Sequence, residues 1–566
     1  MRFLYTCLIA VPVALSGPAM SQTFGPFEYD PENVLAQAYN ASQTVLWSDF
    51  DSDGDLDLAV GNAYSPTELF VNSGDGVYNR RLLPEEKPID ATGGAWADFD
   101  GDGYLDLLMC GLHAGGFIYW QGSDGIFDQS QFYYGGGIRD CSVADVSSDG
   151  RPDVLIVHRG VEGLPSTLLT NQGDRTFQVH QRILLDDGSQ SSWADVDGDG
   201  DLDLYHGLNS NQPDRLFINE AGVLRAASQE VWPLVNLSSQ GGAWADYDAD
   251  GDFDLYVSVR DGGNVLYRND SGIFSAIVAD QSGNTFGSAW GDVNNDGYLD
   301  WVSIDEGGPG RLQLGNGTGW EELAIGDGTE GFPEAVTLVD HDEDGDLDLF
   351  VAYGRSDALQ QNRVFLNMNE TGHWLQVAVS GRSGGSALGA KVTVYDQSKG
   401  SSRAQVRAVL PRSGRRAQTG STLHFGLGEV SRVDSVLVQW PNGSCSKIVS
   451  PEVDRVLRVR EAGISTCSKQ VNQENDSFPS SIYLNAPSPN PSFGRVRFEW
   501  RALTGEPYTL EVVNMLGQIV YRVNGRATGE MDSLQWHQAE QIGPGSYALR
   551  LQAGGKTVIK RFTVAR

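Results

Sequence analysis

An all-β chain is predicted here: a seven-bladed calcium-binding propeller, then a small β domain, then a C-terminal β-sandwich. Three observations predict it. An acidic nine-residue loop recurs seven times, with its first Asp at 49, 98, 145, 195, 246, 292 and 340, so the period is 46–51 residues. Repetition at that period marks a stacked or circular array. Each loop sits in a unit of short alternating strands split by Gly-rich turns, with no helical periodicity, as in one four-stranded blade. After Asn367 the repeat stops and two further β-rich segments follow.

The loop comes first because it defines the unit. In the first copy Asp49, Asp51, Asp53 and Asp57 hold positions 1, 3, 5 and 9. Asp55, at position 7, can offer its backbone carbonyl, and Gly54 stands where the chain must turn sharply around an ion. Hard oxygen donors in this number suit Ca²⁺. The opening matches the EF-hand D-x-D-x-D-G, but no Glu follows at position 12. Leu56, Leu58 and Val60 alternate like a strand instead.

The second loop offers Asp98, Asp100, Asp102 and Asp106, with Tyr104 at position 7. The third offers Asp145, Asp149 and Asp153, with Arg151 at position 7, and Ser147 replaces its second carboxylate. That site is therefore expected to be the weakest. The fourth (Asp195, Asp197, Asp199, Asp201, Asp203) and fifth (Asp246, Asp248, Asp250, Asp252, Asp254) are fully acidic. The sixth has Asp292, Asn294, Asp296 and Asp300, with Tyr298 at position 7. The seventh, Asp340, Asp342, Asp344, Asp346 and Asp348, is again fully acidic. Five to seven bound Ca²⁺ are expected.

Trp47, Trp96, Trp193, Trp244 and Trp290 each stand two residues before the first ligand. Such regularity predicts packing between blades, because a ligand site would not repeat with every blade. Blade seven lacks room for a fourth strand before the next domain, so residues 24–30 are expected to pair with 363–367 and close the ring. The propeller is assigned to residues 22–371.

These repeats resemble the FG-GAP/VCBS repeats of the integrin α-subunit propeller. The resemblance implies Ca²⁺ on one rim, opposite the face that usually binds ligand, at the loop positions named above.

Residues 372–462 read as a small β domain. His373-Trp374-Leu375, Gly389-Ala390-Lys391-Val392, His424-Phe425-Gly426-Leu427-Gly428 and Trp440-Pro441-Asn442-Gly443 resemble the ASPIC/UnbV domain of many bacterial secreted proteins. His373 and His424 are read as structural histidines, since no nucleophile or carboxylate stands at a fixed spacing from them. Seven Arg and Lys between Lys391 and Arg416 predict either a basic surface or a solvated strand face.

A Ser-, Asn- and Gln-rich linker spans 463–480. Residues 481–566 are expected to form the sandwich. Pro489-Asn490-Pro491, Leu516-Gly517 and Gly545-Ser546-Tyr547 resemble the C-terminal sorting domain of the type IX secretion system of Bacteroidetes-type bacteria. That resemblance implies that the chain meets the secretion machinery, crosses the outer membrane and then loses its tail. The N-terminus (1–21) reads as a secretory signal cut after Ser21, with no transmembrane segment in the mature chain. Cys110–Cys141 and Cys445–Cys467 can pair in an exported chain.

Charge separates the parts. The chain is −35 overall; residues 1–371 carry 16 basic against 61 acidic residues, while 372–470 carry 14 against 6. An acidic propeller excludes nucleic acid as its partner. The expected function is a secreted or surface binding module for a protein or glycan, not an enzyme. The alternatives are a lyase-like enzyme acting on polysaccharide, and a non-catalytic accessory protein.

Overall fold

The computed structural model describes residues 23–461 and 483–564, less 38, 75, 84–88, 124, 134, 160–163, 185–186, 281–282, 327–330, 355–359, 370, 383–384, 399–400, 485–495, 503–504, 515–517, 528–531, 537–544 and 554–555. The leader (1–21), the linker (463–480), Cys467, Pro489–Pro491 and Leu516–Gly517 lie outside the described residues.

Seven antiparallel sheets account for residues 42–367. Their first strands are Ser42–Ser48, Ala91–Ala97, Ile138–Ala144, Gly188–Ala194, Ser239–Ala245, Thr285–Gly291 and Pro333–Val339. These strands pack on one another in cyclic order, the seventh against the first, around a central axis. Small residues let these backbones crowd together: a Cβ at Gly93 would meet the Cys141 backbone nitrogen, on the next first strand, at 2.7 Å. Burial falls outward along each blade. The first strand of the first sheet is buried throughout, whereas most of its fourth, Tyr78–Leu82, is exposed.

The ring closes as the sequence predicts. Phe27, Glu28 and Tyr29 pair antiparallel with Asn367, Leu366 and Phe365, so the N-terminal segment supplies the fourth strand of the seventh sheet. The tryptophans pack between blades. Trp47 Nε1 donates to Thr337 Oγ1 (3.0 Å), Trp96 Nε1 to the Leu46 carbonyl (3.1 Å) and Trp193 Nε1 to Ser142 Oγ (2.8 Å), each on the preceding blade. A Cys110–Cys141 disulfide ties the second sheet to the third. Cys445 is also disulfide-bonded.

Residues 373–460 form two sheets around one core that includes Leu375, Val377, Val394, Phe425, Val436 and Val438. The last unit likewise has its own core, with Phe498, Trp500 and Trp536 of one sheet facing Leu510, Val512 and Leu549 of the other. It meets the propeller at Lys560, whose Nζ lies 3.7 Å from Glu343 Oε2. No helix among the described residues is long and apolar enough to cross a membrane.

Candidate metal rim and axial plug

Each nine-residue loop leaves the C-terminal end of a first strand, so all seven lie on one face. The glycine at position 6 has positive φ in every copy, from 83° at Gly150 to 103° at Gly54. Only glycine adopts that conformation freely. In six loops its N–H donates to the position-1 carboxylate at 2.8–3.3 Å. The position-7 N–H (Asp55, Tyr104, Arg151, Asp201, Asp252, Tyr298, Asp346) donates to the position-5 carboxylate at 2.8–3.0 Å.

Position 9 does two jobs. One oxygen of Asp57, Asp106, Asp153, Asp203, Asp254, Asp300 or Asp348 accepts the position-2 N–H at 2.8–3.3 Å. The other accepts a third-strand N–H at 2.7–2.9 Å. The residue giving that second N–H is Asn72, Gln121, Asn171, Asn219, Asn269, Gly315 or Asn367. Where it has a side-chain amide, that amide donates to the position-2 carbonyl of the preceding blade, as in Asn171 to Phe99 (2.7 Å) and Asn367 to Val293 (2.7 Å). These asparagines recur at the ends of third strands in the sequence, but nothing there marks them as ties. Their role as inter-blade ties appears once the blades are adjacent. Gly315 breaks the series, and there Tyr247, Trp290, Trp301 and Trp320 fill the interface, with Trp301 and Trp320 centroids 4.3 Å apart.

Carboxylates converge to within metal-sharing distance in Asp49/Asp51/Asp53, Asp98/Asp100/Asp106, Asp195/Asp197/Asp199 and Asp246/Asp248/Asp250. In the seventh loop Asp342 and Asp348 converge with His341. Asp49 Oδ1 and Asp342 Oδ1 are buried without a hydrogen-bond partner, the state expected of oxygens shaped for a cation. Burial, reinforced by neighbouring carboxylates, pushes Asp57 up to about 9 and Asp53 up to about 8. Burial, against its backbone hydrogen bonds, also pushes Asp106, Asp203 and Asp254 up to about 8. In the third loop, where Ser147 removes a carboxylate, burial raises Asp153 only to about 6.

The second and fifth loops have built-in counter-charges. Arg175 Nη2 lies 2.8 Å from Asp100, and Arg268 Nε lies 3.1 Å from Asp248. Both arginines are substantially exposed, so these pairs are weak. In the third loop Arg151 pairs with its own Asp149.

The second module covers this rim. Gln376 Nε2 donates to Asp340 Oδ2 (2.6 Å), His424 Nε2 lies 2.7 Å from Asn295 Oδ1, and Arg458 Nη2 donates to the Gly54 carbonyl (3.0 Å). Gly385 and Gly426 approach Asp98 and Asp292 so closely that a Cβ would come within 2.2 and 2.1 Å of their Oδ2 atoms. His424 is thus a structural histidine at the interface, pushed down to about 3 by burial and then by Arg407. His373 Nδ1 lies 2.8 Å from Asp454 Oδ2, a carboxylate partner that no fixed spacing reveals.

From that module the segment 410–420 runs down the propeller axis. Neither expectation for its basic residues holds. Arg412, Arg415 and Arg416 are buried, at 0%, 7% and 8% exposure, because the channel interior supplies acidic partners. Arg412 pairs with Asp140, while Arg415 and Arg416 share Glu334 Oε2, each at 2.9 Å. Arg416 Nη1 also donates to Gln43 (2.8 Å) and Arg415 Nη1 to Gln240 (2.8 Å). Ala417 and Gln418 extend the first sheet by pairing parallel to Val45 and Leu46, and Gln418 Oε1 accepts the Trp96 N–H (2.8 Å). Gly414 leaves no space for a side chain, since a Cβ would sit 2.3 Å from the Ser288 carbonyl.

The partners at the plug's tip come from one structural position. Each first strand has a β-bulge near its start that skips a single residue: Gln43, Thr92, Arg139, Ser189, Gln240, Phe286 and Glu334. These seven lie at the end of the channel away from the metal loops.

A repeat propeller whose metal-loop rim is covered by a second module with an axial plug is the class defined by this fold. Family models match its repeats and its later modules. FG-GAP-like repeats match residues 49–109, 98–156, 195–257, 246–303 and 292–351; ASPIC and UnbV matches 380–466; a secretion system C-terminal sorting domain matches 488–565. The chain is similar to cartilage acidic protein 1: 28% identical to the human protein over 340 residues, 58% of this chain and 44% of that one. The Xenopus tropicalis protein is 27% identical over 343 residues, 58% of this chain and 45% of that one. The match thus spans less than half of each curated relative. Among solved structures, BBS1N in complex with ARL6DN aligns with a TM-score of 0.41 and 12% identity, over 60% of this chain and 95% of that one.

Proposed function

We propose that the protein is a calcium-stabilised binding module, exported to the cell surface, that engages a protein or glycan ligand through the face opposite its metal loops and catalyses no reaction. The observation carrying this reading is the cover on the rim: Gln376, His424 and Arg458 occupy the metal-loop face, so the other face is left to meet a partner. Ca²⁺ would be held by the position 1, 3, 5 and 9 side chains and the position-7 carbonyls. It would supply the positive charge that lets these buried carboxylates ionise together. An N-terminal leader and the C-terminal sorting domain would take the chain out of the cell, and the type IX machinery would then remove the tail. The test is a glycan and surface-protein array probed with pure protein, together with an assay for new reducing ends on a polysaccharide panel. Binding without cleavage supports the reading. Cleavage of any polysaccharide replaces it with an enzyme.

A further inference from the structure

We propose that the axial mouth on the uncovered face is an anion site for a carboxylate, gripped by Arg139 with Arg159 beside it. Arg139 is the bulged residue of the strand Ile138–Ala144. Ile138 pairs with His158, and the Arg159 N–H donates to the Gly137 carbonyl (2.8 Å), so the two arginines leave neighbouring backbone. Arg139 is partly buried, and neither it nor the exposed Arg159 has an ion pair among the described residues. The carboxylates around it are already engaged. Glu334 is shared by Arg415 and Arg416, Asp140 takes Arg412 and the Ser191 N–H and hydroxyl, and Asp187 accepts from Ser210.

Below the mouth the plug leaves more donors than acceptors. Arg412 Nε and Nη1, Arg415 Nε and Arg416 Nε are buried without hydrogen-bond partners. The Ser189 hydroxyl, in the same bulge ring as Arg139, is likewise buried and unpartnered. Burial together with repulsion from Arg159 and Arg415 lowers the pKa of Arg139, with Asp187 and Glu334 opposing that shift. Holding guanidinium groups together in a half-buried mouth is unfavourable unless an anion joins them. A carboxylate matches a guanidinium fork in plane and spacing. An acidic sugar and an acidic peptide both carry that group. The inference rests on the uncovered face being the binding face and adds the chemistry of its ligand.

The test titrates the full, Ca²⁺-loaded chain by calorimetry with sodium D-glucuronate, N-acetylglutamate, D-glucose and sodium chloride at matched ionic strength. Glucuronate or N-acetylglutamate should bind, the tighter one naming the sugar or peptide source, while glucose and chloride should not. Arg139→Gln should weaken carboxylate binding about tenfold or more and Arg159→Gln by less, while Arg260→Gln, paired with Asp261 (3.7 Å), should leave it unchanged. Melting temperatures of all three variants check that they fold. Binding of neither carboxylate, equal binding of chloride or glucose, or full affinity in a folded Arg139→Gln would overturn the proposal. Array binding that persists in Arg139→Gln and is lost when the uncovered face is blocked would reject the anion site alone and leave the face assignment standing.

Discussion

The two ends of the seven first strands follow opposite rules. At the C-terminal end every strand delivers the same loop, with the same glycine conformation and the same pair of hydrogen bonds to position 9. At the N-terminal end every strand has the same bulge, but the bulged residue differs: Gln, Thr, Arg, Ser, Gln, Phe and Glu. Uniformity marks the end that holds the ring together. Variation marks the end where single residues meet single partners, here the plug arginines.

Chelation should act on the uniform end and give the largest effect. Each site loaded a hundredfold above its Kd contributes about 2.7 kcal/mol, so five to seven sites should lower Tm by on the order of 10–20 °C when EDTA is added. Metal analysis that finds two or fewer Ca²⁺ in folded protein would reverse the assignment. The metal-free chain should also respond to pH. An Asp whose pKa is raised on folding keeps its proton in the folded chain after the unfolded chain has released it. The contribution of these loop carboxylates to the apo fold is therefore full below about 4 and is lost as pH climbs through about 9, the range set by Asp57. A denaturation series in EDTA from pH 5 to 9 checks the direction; a rise in stability over that range would contradict it.

Glu334→Ala acts on the varied end. It strands Arg415 and Arg416 in the channel and should cost about 3–5 kcal/mol in urea unfolding. A cost near zero would mean that the plug does not sit on the axis in solution. Asn171→Ala returns to the uniform end and removes one of the ties between blades, leaving the buried Phe99 carbonyl short of a donor. About 1–2 kcal/mol should be lost, with Ca²⁺ content unchanged. Removing residues 481–566 should do least to the propeller. That unit has its own core and meets the ring at Lys560, so Tm and metal content should hold while export fails.

Much of the uniform end is legible in the sequence, because a loop of fixed spacing repeated seven times states its own register. The strand that closes the ring is legible too, since a seventh blade short of a fourth strand demands one. The axial plug is not. Arg412, Arg415 and Arg416 look like a solvated basic stretch until the channel supplies Asp140 and Glu334, which are 272 and 81 residues away at closest pairing. The bulge ring is hidden for a related reason: Gln43, Arg139 and Glu334 share a position in the fold but no residue type. The asparagine ties fall between these cases, recurrent in the sequence yet meaningful only across an interface.

If the metal-loop rim is structural and covered while the opposite face binds, the two faces should answer differently to bulky labels. Single cysteines placed at Tyr64, exposed in the loop between the second and third strands on the open face, and at Tyr104, in the second metal loop, test it directly. Each is coupled to a bulky maleimide and the product is compared with unmodified protein on the glycan and surface-protein array. Modification at position 64 should abolish binding and modification at position 104 should leave it intact. Binding lost at 104 and kept at 64 would contradict the claim.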